Sequence, residues 1–352
     1  MIKDSIRRPT CAATINGIRA PLTSFEVESN NHFAADTWEC SLALASLPPG
    51  LGLDFWANQA PITVQIFAGL DSDPTTSLIL GDADHATLDA ATGEVRLSGR
   101  DKTALFLEAR TTDKFPDHSA SDIVTQFANN HSMQAQVTAI QSRVGQQDQQ
   151  EYAKLTSEQT EWSILTYLAE NAGFDLFVVG NTLYFQPPNS SNEQPYVVTY
   201  VPSKTGKMAY GSVVTLQCQR SLALASDVAV QVTSWNARLG QIITGQAHAS
   251  KNGSESGAVQ TYNFREPGLN QEQAQKLAQR KLLEICKQER TICWTEPANL
   301  ALTPRTQVRL QGTGTAWDQL YVIDRIQRRM SFSGGFTMSV QATASSSPSN
   351  ST

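Results

Sequence analysis

The stretch that distinguishes an α+β chain from an all-β one is Thr160-Glu-Trp-Ser-Ile-Leu-Thr-Tyr-Leu-Ala-Glu-Asn-Ala-Gly173, which runs directly into Phe174-Asp-Leu-Phe-Val-Val-Gly-Asn-Thr-Leu-Tyr-Phe-Gln186. Thr160 is a residue type that caps helix N-termini, and Gly173 suits the left-handed position that ends a helix. Apolar residues recur between them at helical spacing, at Trp162, Leu165, Leu168 and Ala169. Gly180-Asn181 then separates two strand-like runs, as in a hairpin. The stretch predicts a helix and a hairpin in a small α+β domain.

Two further helices are predicted, one on each side of this stretch. Asn270 has the residue type of an N-cap, and Gln273 stands at the capping-box position of a helix from Gln271 to about Lys287. Its apolar stripe comprises Ala274, Leu277, Ala278, the stem of Lys281, Leu282 and Ile285. Ser119 or Ser121 can cap the other helix. The apolar stripe of that helix comprises Ile123, Val124, Phe127 and Ala128.

The two ends of the chain are predicted to be β-structure. Strand-like runs fill residues 11–110, 195–245 and 298–344, and residues 246–260 have the composition of a mobile loop. Ser24-Phe-Glu-Val-Glu28 alternates apolar and polar residues, as a half-buried strand does. Thr87 to Ser98 predicts a hairpin that turns near Thr92-Gly93. Many short strands joined by Gly, Pro and Asp turns favour a β-barrel or a sandwich.

A weak internal repeat connects the two β regions. Pro61-Ile-Thr-Val-Gln-Ile66 resembles Pro304-Arg-Thr-Gln-Val-Arg-Leu310. Leu80-Gly-Asp82 resembles Val322-Ile-Asp324, and each is followed by a strand, a glycine turn and a returning strand. Chance similarity between β segments is the alternative. Taken at face value, the first and last β regions are two copies of one barrel, with helical segments between and within them.

Composition and charge narrow the class of protein. The 352 residues suffice for two to three domains. The formal net charge is −6, from 27 basic and 33 acidic residues. A surface that binds nucleic acid normally shows a basic excess or stripe. The densest basic run, Arg325, Arg328 and Arg329, is too short to form one.

Cysteine spacing and hydropathy indicate the compartment in which the chain is expected to fold. Five cysteines are present without any CxxC pair, which favours reduced thiols over a zinc or redox site. Basic residues near the N-terminus are not followed by the apolar region of a signal peptide. The longest apolar stretch, Phe174 to Phe185, is too short to span a bilayer. We therefore expect no membrane-spanning segment and assembly in the cytoplasm.

No catalytic, cofactor or metal motif stands out in the sequence. The most site-like run is Asp82-Ala-Asp84-His85, and a solvated or interface edge is favoured there because function requires a converging site. Gly312-Thr-Gly314 lacks the following helix that a phosphate cradle requires, so a turn is predicted. Among the tryptophans, the predicted core residues are Trp162 and Trp235, and those near turn-like segments are Trp56 and Trp317.

An ordered set of segments resembles a known family. In chain order they are Ser98-Gly-Arg-Asp-Lys-Thr-Ala-Leu105, Ser121-Asp-Ile-Val-Thr-Gln-Phe-Ala128, the helix and hairpin of Thr160 to Phe185, Val228 to Trp235, and the last glycine-containing hairpin. The set resembles the baseplate hub proteins of contractile phage tails, especially the Mu-like tail proteins and the late-control tail protein D family. It is also similar to the N-terminal part of the VgrG spikes of type VI secretion. The resemblance covers nearly the whole chain.

The resemblance implies a β-rich α+β fold with two tube-type antiparallel β-barrels and a smaller α+β domain between and inserted. The expected boundaries are a first barrel at 1–100, α+β material at 101–195 and about 246–295, a second barrel at 196–245 and 296–344, and a disordered tail at 345–352. Three chains would then give six barrels in a pseudo-sixfold ring.

The function implied by the resemblance is mechanical. As a homotrimer, the chain would join the hexameric tail tube to a separate trimeric spike protein and contact other baseplate proteins in the virion tail. DNA would pass through the channel without specific binding, and neither catalysis nor a cofactor is expected. The alternatives are a tail-associated enzyme or binding protein that acts on the cell wall, and a hub of a type VI or pyocin-like device.

Overall fold

The computed structural model describes residues 8–112, 115, 118–140, 159–188, 194–225, 227–236, 240–249, 259–266 and 269–345. Within these ranges the chain is a β-rich α+β protein, as the sequence predicts, and it has three separate hydrophobic cores. Apart from Ser345, the predicted disordered tail lies outside the described residues. No helix in the described part is long and apolar enough to cross a membrane.

The first seven strands form an N-terminal β unit. They are β1 (Pro9–Ile15), β2 (Ile18–Ala20), β3 (Ser24–Asn30), β4 (Thr37–Ala43), β5 (Thr63–Leu70), β6 (Thr76–Asp89) and β7 (Glu94–Asp101), and the short helix α1 (Leu53–Asn58) precedes β5. Their order in the sheet is β3-β4-β7-β6-β5-β1-β2. The hairpin predicted near residue 93 is confirmed, because β6 and β7 are joined through Gly93, whose φ is 65°.

A middle unit with its own core follows. It contains α2 (Thr103–Glu108), β8 (Arg110–Thr111), α3 (Ala120–Asn130), β9 (Gln134–Val137), β10 (Gln159–Thr160), α4 (Glu161–Ala172), β11 (Asp175–Val179) and β12 (Thr182–Gln186). The predicted caps are confirmed: Thr160 caps α4 through the Ser163 amide, and Gly173 ends it with φ 67°. Ser119, rather than Ser121, caps α3 and forms a capping box with Asp122.

The rest of the chain is a C-terminal β unit that is interrupted by an inserted unit. The C-terminal β unit begins with β13 (Tyr196–Val201), β14 (Tyr210–Gly211) and β15 (Thr215–Arg220). The inserted unit consists of β16 (Val228–Asn236), β17 (Gln241–Ala249), β18 (Gln260–Arg265) and α5 (Gln271–Lys287). The C-terminal β unit resumes with β19 (Arg290–Pro297), β20 (Gln307–Gln311), β21 (Leu320–Ser331) and β22 (Gly335–Ala344).

The inserted unit confirms the predicted helix but changes the predicted boundaries. Asn270 and Gln273 form the expected capping box of α5. Residues 196–245 were predicted to belong to the second barrel, whereas β16 and β17 pair with β18 and pack on α5. Residues up to about 295 were predicted to belong to the α+β material, whereas β19 belongs to the large sheet. Alternation along a strand predicts that the strand is half buried but not which sheet it joins.

Two local predictions in the inserted unit need correction. Trp235 was predicted to be a core residue, but it is 50% exposed, on the face of β16 opposite to the buried residues Val232 and Ser234. The loop predicted at 246–260 begins inside β17 and ends at β18, and residues 250–258 lie outside the described part of the chain. Trp162 is buried in the middle unit, as predicted.

The long strand β21 joins the two β units into one fourteen-stranded sheet. Its first residues pair with β20, its later residues pair with β3, and β22 runs beside both parts. Buried and outward-facing residues alternate along these strands, and the inward residues of both units share one core. In the described ranges no strand ladder closes on itself, so a closed barrel is not observed.

The strand order is repeated in the two β units. The run β1-β5-β6-β7-β4-β3 has a counterpart in β13-β20-β21-β22-β19-β15. Gly81 of β6 and Tyr321 of β21 are counterparts, and a bulge interrupts the ladder two residues beyond each of them. Their partners are Val64 and Asp101 for Gly81, and Val308 and Ala344 for Tyr321. One difference is that β1 is antiparallel to β5 whereas β13 is parallel to β20.

The register corrects the alignment that was inferred from sequence. Sequence similarity matched Asp82 with Asp324, but strand pairing makes Asp84 the counterpart of Asp324. A shift of two residues keeps every side chain on the same face of a strand, so the apolar pattern alone cannot detect it.

Candidate assembly surface

The two β units meet at a junction between β21 and β3. Seven residue pairs run antiparallel from Arg325–Asn30 to Ser331–Ser24. The backbone ladder therefore continues from one unit into the other without an interface of loops. Because register decides which side chains face the core, this junction sets the relative position of the two units.

Charged side chains pair across the junction on the outward face of the sheet. The guanidinium of Arg329 binds Glu26 with two bonds, Nε–Oε2 at 2.7 Å and a second to Oε1 at 3.1 Å. Arg325 lies 3.6 Å from Glu28, and Gln327 also donates to Glu26. The Arg329 and Glu26 side chains are 60% and 39% exposed, so we expect about 0–1 kcal/mol from the pair. The main effect of these charged pairs is to align β21 and β3 in register.

The outward face of the sheet is polar across the junction, and we call it the polar face. Acidic and basic side chains are mixed on it, and no basic stripe forms. Its members include Glu26, Glu28, Thr37, Glu39, Arg96, Arg325, Gln327, Arg329, Thr337, Ser339 and Gln341.

Behind the junction, Arg328 points into the protein. Its side chain is buried and donates to the backbone carbonyl oxygens of Asn299, at 3.0 Å and 3.3 Å, and of Leu302. Burial lowers the pKa of this guanidinium to about 10. Arg328 therefore ties the strand at the junction to the segment between β19 and β20.

Asp36 lies close to this buried arginine, and a second buried carboxyl, that of Asp101, lies close to Asp36. Asp36 accepts a hydrogen bond from the Asn30 amide at 2.7 Å, and burial raises the pKa of its carboxyl to about 6. Asp101 accepts from the amide and the hydroxyl of Thr103 at 3.2 Å and 2.9 Å. Burial, with a smaller contribution from the charge of Asp36, raises the pKa of Asp101 to about 8.

Arg305 connects this cluster to the middle unit. Its guanidinium carbon lies 3.7 Å from the ring centroid of Phe177 in β11. Burial lowers the pKa of Arg305, and the nearby carboxyls of Asp36, Asp175 and Asp101 oppose that shift. The N-terminal, C-terminal and middle units thus meet around one set of buried charges.

The connection between β3 and β4 makes further contacts with the other units. Asn31 donates to the carbonyl oxygen of Ile323 at 3.0 Å, and His32 Nε2 lies 3.1 Å from Asp324 Oδ1. Trp162 of the middle unit donates to the carbonyl oxygen of Phe33 at 2.9 Å. In the C-terminal β unit, the connection that corresponds to the β3–β4 connection runs from β15 to β19. It contains the whole inserted unit.

The most site-like run in the sequence does not form a converging site. Asp82 accepts from Lys102 and Thr63, whereas Asp84 binds Arg100 with two bonds of 2.7 Å and 2.8 Å. The bulge in the β6–β7 ladder lies at these residues. No group of three or more His, Cys, Asp or Glu residues suited to a metal occurs in the described part of the chain.

The remaining motifs behave as local structure. Gly312-Thr-Gly314 lies in a bend of the connection between β20 and β21, and Asp318 accepts from the Thr313 and Gly314 amides at 3.0 Å and 2.9 Å. The five cysteines are free thiols. Trp56 and Trp317 are both partly buried against the main core.

Sequence reasoning missed the buried charges, although part of their signal was present. Asp101 and Arg328 occupy inward positions in strands where the alternation demands apolar residues. A charge at such a position is rarely buried without partners. Asp36 and Arg305 lie outside regular strands, so no periodicity marks them.

The fold is shared with solved tail proteins. A tail protein from Neisseria meningitidis MC58 has a TM-score of 0.69 at 13% identity, covering 96% of this chain and 97% of that one. The 43 kDa tail protein of prophage MuSo2 from Shewanella oneidensis has a TM-score of 0.68 at 14% identity, covering 95% and 98%. The E. coli c3393 protein, a type VI secretion component, has a TM-score of 0.54 at 11% identity, covering 94% and 76%.

These comparisons confirm the predicted resemblance at the level of the fold. No protein-family profile and no curated protein sequence matches the chain. Identities of 9–14% among the solved structures with TM-scores above 0.5 leave the fold as the shared property.

Proposed function

We propose that this chain is the structural hub of a contractile phage-tail baseplate. Three copies form a pseudo-sixfold ring that joins the hexameric tail tube to a separate trimeric spike protein. The role is mechanical, and it requires neither a catalytic group nor a cofactor. The virion tail is the proposed location, and assembly in the host cytoplasm precedes it.

The observation that carries this proposal is the repeated strand order within one chain. Two β units with the same order are joined edge to edge by β21 and β3. A ring of three such chains presents six similar units to a sixfold tube while keeping threefold symmetry for a spike. In the ring, each unit supplies one tube-type barrel.

The polar face suits the wall of a channel. It combines acidic and basic side chains, many of them already paired within the sheet. DNA would therefore pass without being held, because the face provides no clustered cations. The apolar side of the same sheet is occupied by the protein core.

Coverage favours a phage tail over a type VI spike. The two tail proteins above are matched over 97% and 98% of their own lengths, whereas the type VI component is matched over 76%. The proposal accordingly has a tail spike protein as the partner.

Light scattering across a concentration range tests the proposal. The expected mass is three times 38.4 kDa, and rings with six lobes should appear in negative-stain images. A monomer at every concentration, with or without the spike protein, would contradict the hub. A peptidoglycan zymogram tests the enzyme alternative, and we expect no clearing of the gel.

A further inference from the structure

Among the open strand edges of the large sheet, in the part of the chain that the structure describes, two are related by the repeat. The first belongs to β6: its pairing with β5 ends at Thr63–Asp82, and residues 85–89 are exposed and paired only with β7. The second is β15, whose one partner in the sheet is β19. An exposed edge presents unpaired backbone donors and acceptors to any strand that can align with it.

The free part of β6 corresponds to the part of β21 that pairs with β3. Ala86 is the counterpart of Ile326, because their partners on β7 and β22 are counterparts in the repeat. Leu88 is therefore the counterpart of Arg328. In β21 these positions have a strand on each side, whereas in β6 one side is open.

The free strand β15 corresponds in the same way to β3. Phe25 and Leu216 are counterparts in the repeat. Phe25 pairs with a residue of β4 and Leu216 with a residue of β19, and these two partners pair in turn with matching residues of β7 and β22. Cys218 is therefore the counterpart of Val27. The two open edges are the two sides of a junction that the chain already forms once within itself.

We propose that β6 of one copy pairs antiparallel with β15 of the next copy, reproducing between chains the junction of β21 with β3. The inference rests on the proposed function, since it requires several copies in one ring. Transferring the observed pair Arg328–Val27 places Leu88 opposite Cys218 of the neighbouring copy. The same register predicts the pairs Ala86–Arg220, Thr87–Gln219 and Asp89–Gln217.

The side chains on the two edges are compatible with this register. Leu88 is an apolar side chain that is 37% exposed, and it lies beside the buried Val95. Leu216 and Cys218 pack partly against the core from their own strand. Apolar side chains of both edges then share the core side, where Arg220 is the one charged residue and binds Glu289, and the other polar side chains share the polar face. A slip by one residue would place Leu88 opposite a glutamine.

A disulfide crosslink tests the register directly. Residues directly opposite in an antiparallel pair have Cα atoms about 4.5–5.5 Å apart, which is within disulfide reach. In the assembled full-length protein, Leu88→Cys should form a reducible crosslink with the native Cys218 under mild oxidation. Covalent dimers and trimers should then appear on a non-reducing gel.

Two controls make the result specific. Thr87→Cys places the new thiol on the opposite face of the same strand, so it should crosslink at least tenfold less. Leu88→Cys combined with Cys218→Ser should abolish the crosslink, because no other cysteine lies in this register. A crosslink that survives the Cys218→Ser change, or equal crosslinking from residue 87, would overturn the proposed pairing.

The mass of the unoxidised variants separates the two proposals. If the trimer is present but Leu88→Cys does not crosslink, the β6–β15 pairing is wrong and the hub remains. If no variant and no unsubstituted protein exceeds the monomer mass, the ring itself is wrong, and the pairing fails with it.

Discussion

Arg328 and Arg329 are adjacent in the chain but lie on opposite faces of β21, one buried and bonded to backbone carbonyls and the other exposed and paired with Glu26. Successive side chains of a strand point to opposite faces, so the two guanidinium groups experience different surroundings. The buried one holds the junction to the segment behind it. The exposed one matches charges across the junction.

This difference predicts unequal effects of the same substitution. Arg328→Ala should lower the free energy of unfolding by about 3 kcal/mol, because it leaves buried carbonyl groups without donors and opens a cavity. Arg329→Ala, the matched control, should lower it by less than about 1 kcal/mol, since exposed ion pairs contribute little. Chemical denaturation of both variants measures this, and equal effects would contradict the assignment.

Stability should decrease as pH rises through the range in which the buried carboxyls ionise. The folded-state pKa is about 8 for Asp101 and about 6 for Asp36, both above the ordinary aspartate pKa of 3.8. Between about pH 4 and pH 8 the folded state therefore binds more protons than the unfolded state, so the stability from these groups is lost with rising pH.

Asp101→Asn removes the larger of these effects. The variant should match the unsubstituted protein below about pH 4 and become steadily more stable than it between about pH 4 and pH 8, because its side chain stays neutral while still accepting from Thr103. Denaturation midpoints at pH 5, 7 and 9 measure the difference. Parallel pH profiles for the two proteins would show that Asp101 does not titrate in this range.

A charge at the open edge of β6 should weaken the proposed ring. Leu88→Lys places an ammonium group on the side that the neighbouring copy would cover, so the fraction of trimer at micromolar concentration should fall at least tenfold. Leu53→Lys is the matched control, since Leu53 is 57% exposed on α1. Light scattering measures the mass, and circular dichroism checks that both variants are folded. An unchanged mass for Leu88→Lys would argue against burial of this edge.

The close approach of α5 to β17 makes one glycine indispensable. A Cβ at Gly245 would lie 2.2 Å from the carbonyl oxygen of Ala274, so Gly245→Ala must push the helix from the sheet. We expect a loss of about 1–3 kcal/mol. Gly211→Ala is the control, because its nearest neighbour would be at 3.6 Å. Thermal unfolding of both variants measures this, and similar midpoints would mean that α5 adjusts without cost.

Local structure could be predicted wherever a cap or a turn accompanies a periodic pattern. The helices that begin at Thr160 and Asn270 and the hairpin through Gly93 formed as expected, because each signal acts within a few residues. Trp235 was assigned wrongly because its burial depends on a distant element. Its strand is periodic, but no neighbouring residue shows which face of the strand a helix will cover.

The sequence by itself determined the fold class, the helix ends, the hairpins and a trace of the repeat, since all of these depend on neighbours in the chain. Only the tertiary structure decided the register of the repeat, the membership of β16 and β17 in the inserted unit, and the cluster of Asp36, Asp101, Arg305 and Arg328. A two-residue slip leaves the polarity pattern of a strand unchanged. Charges from four distant segments become one cluster only after the three units have packed around them.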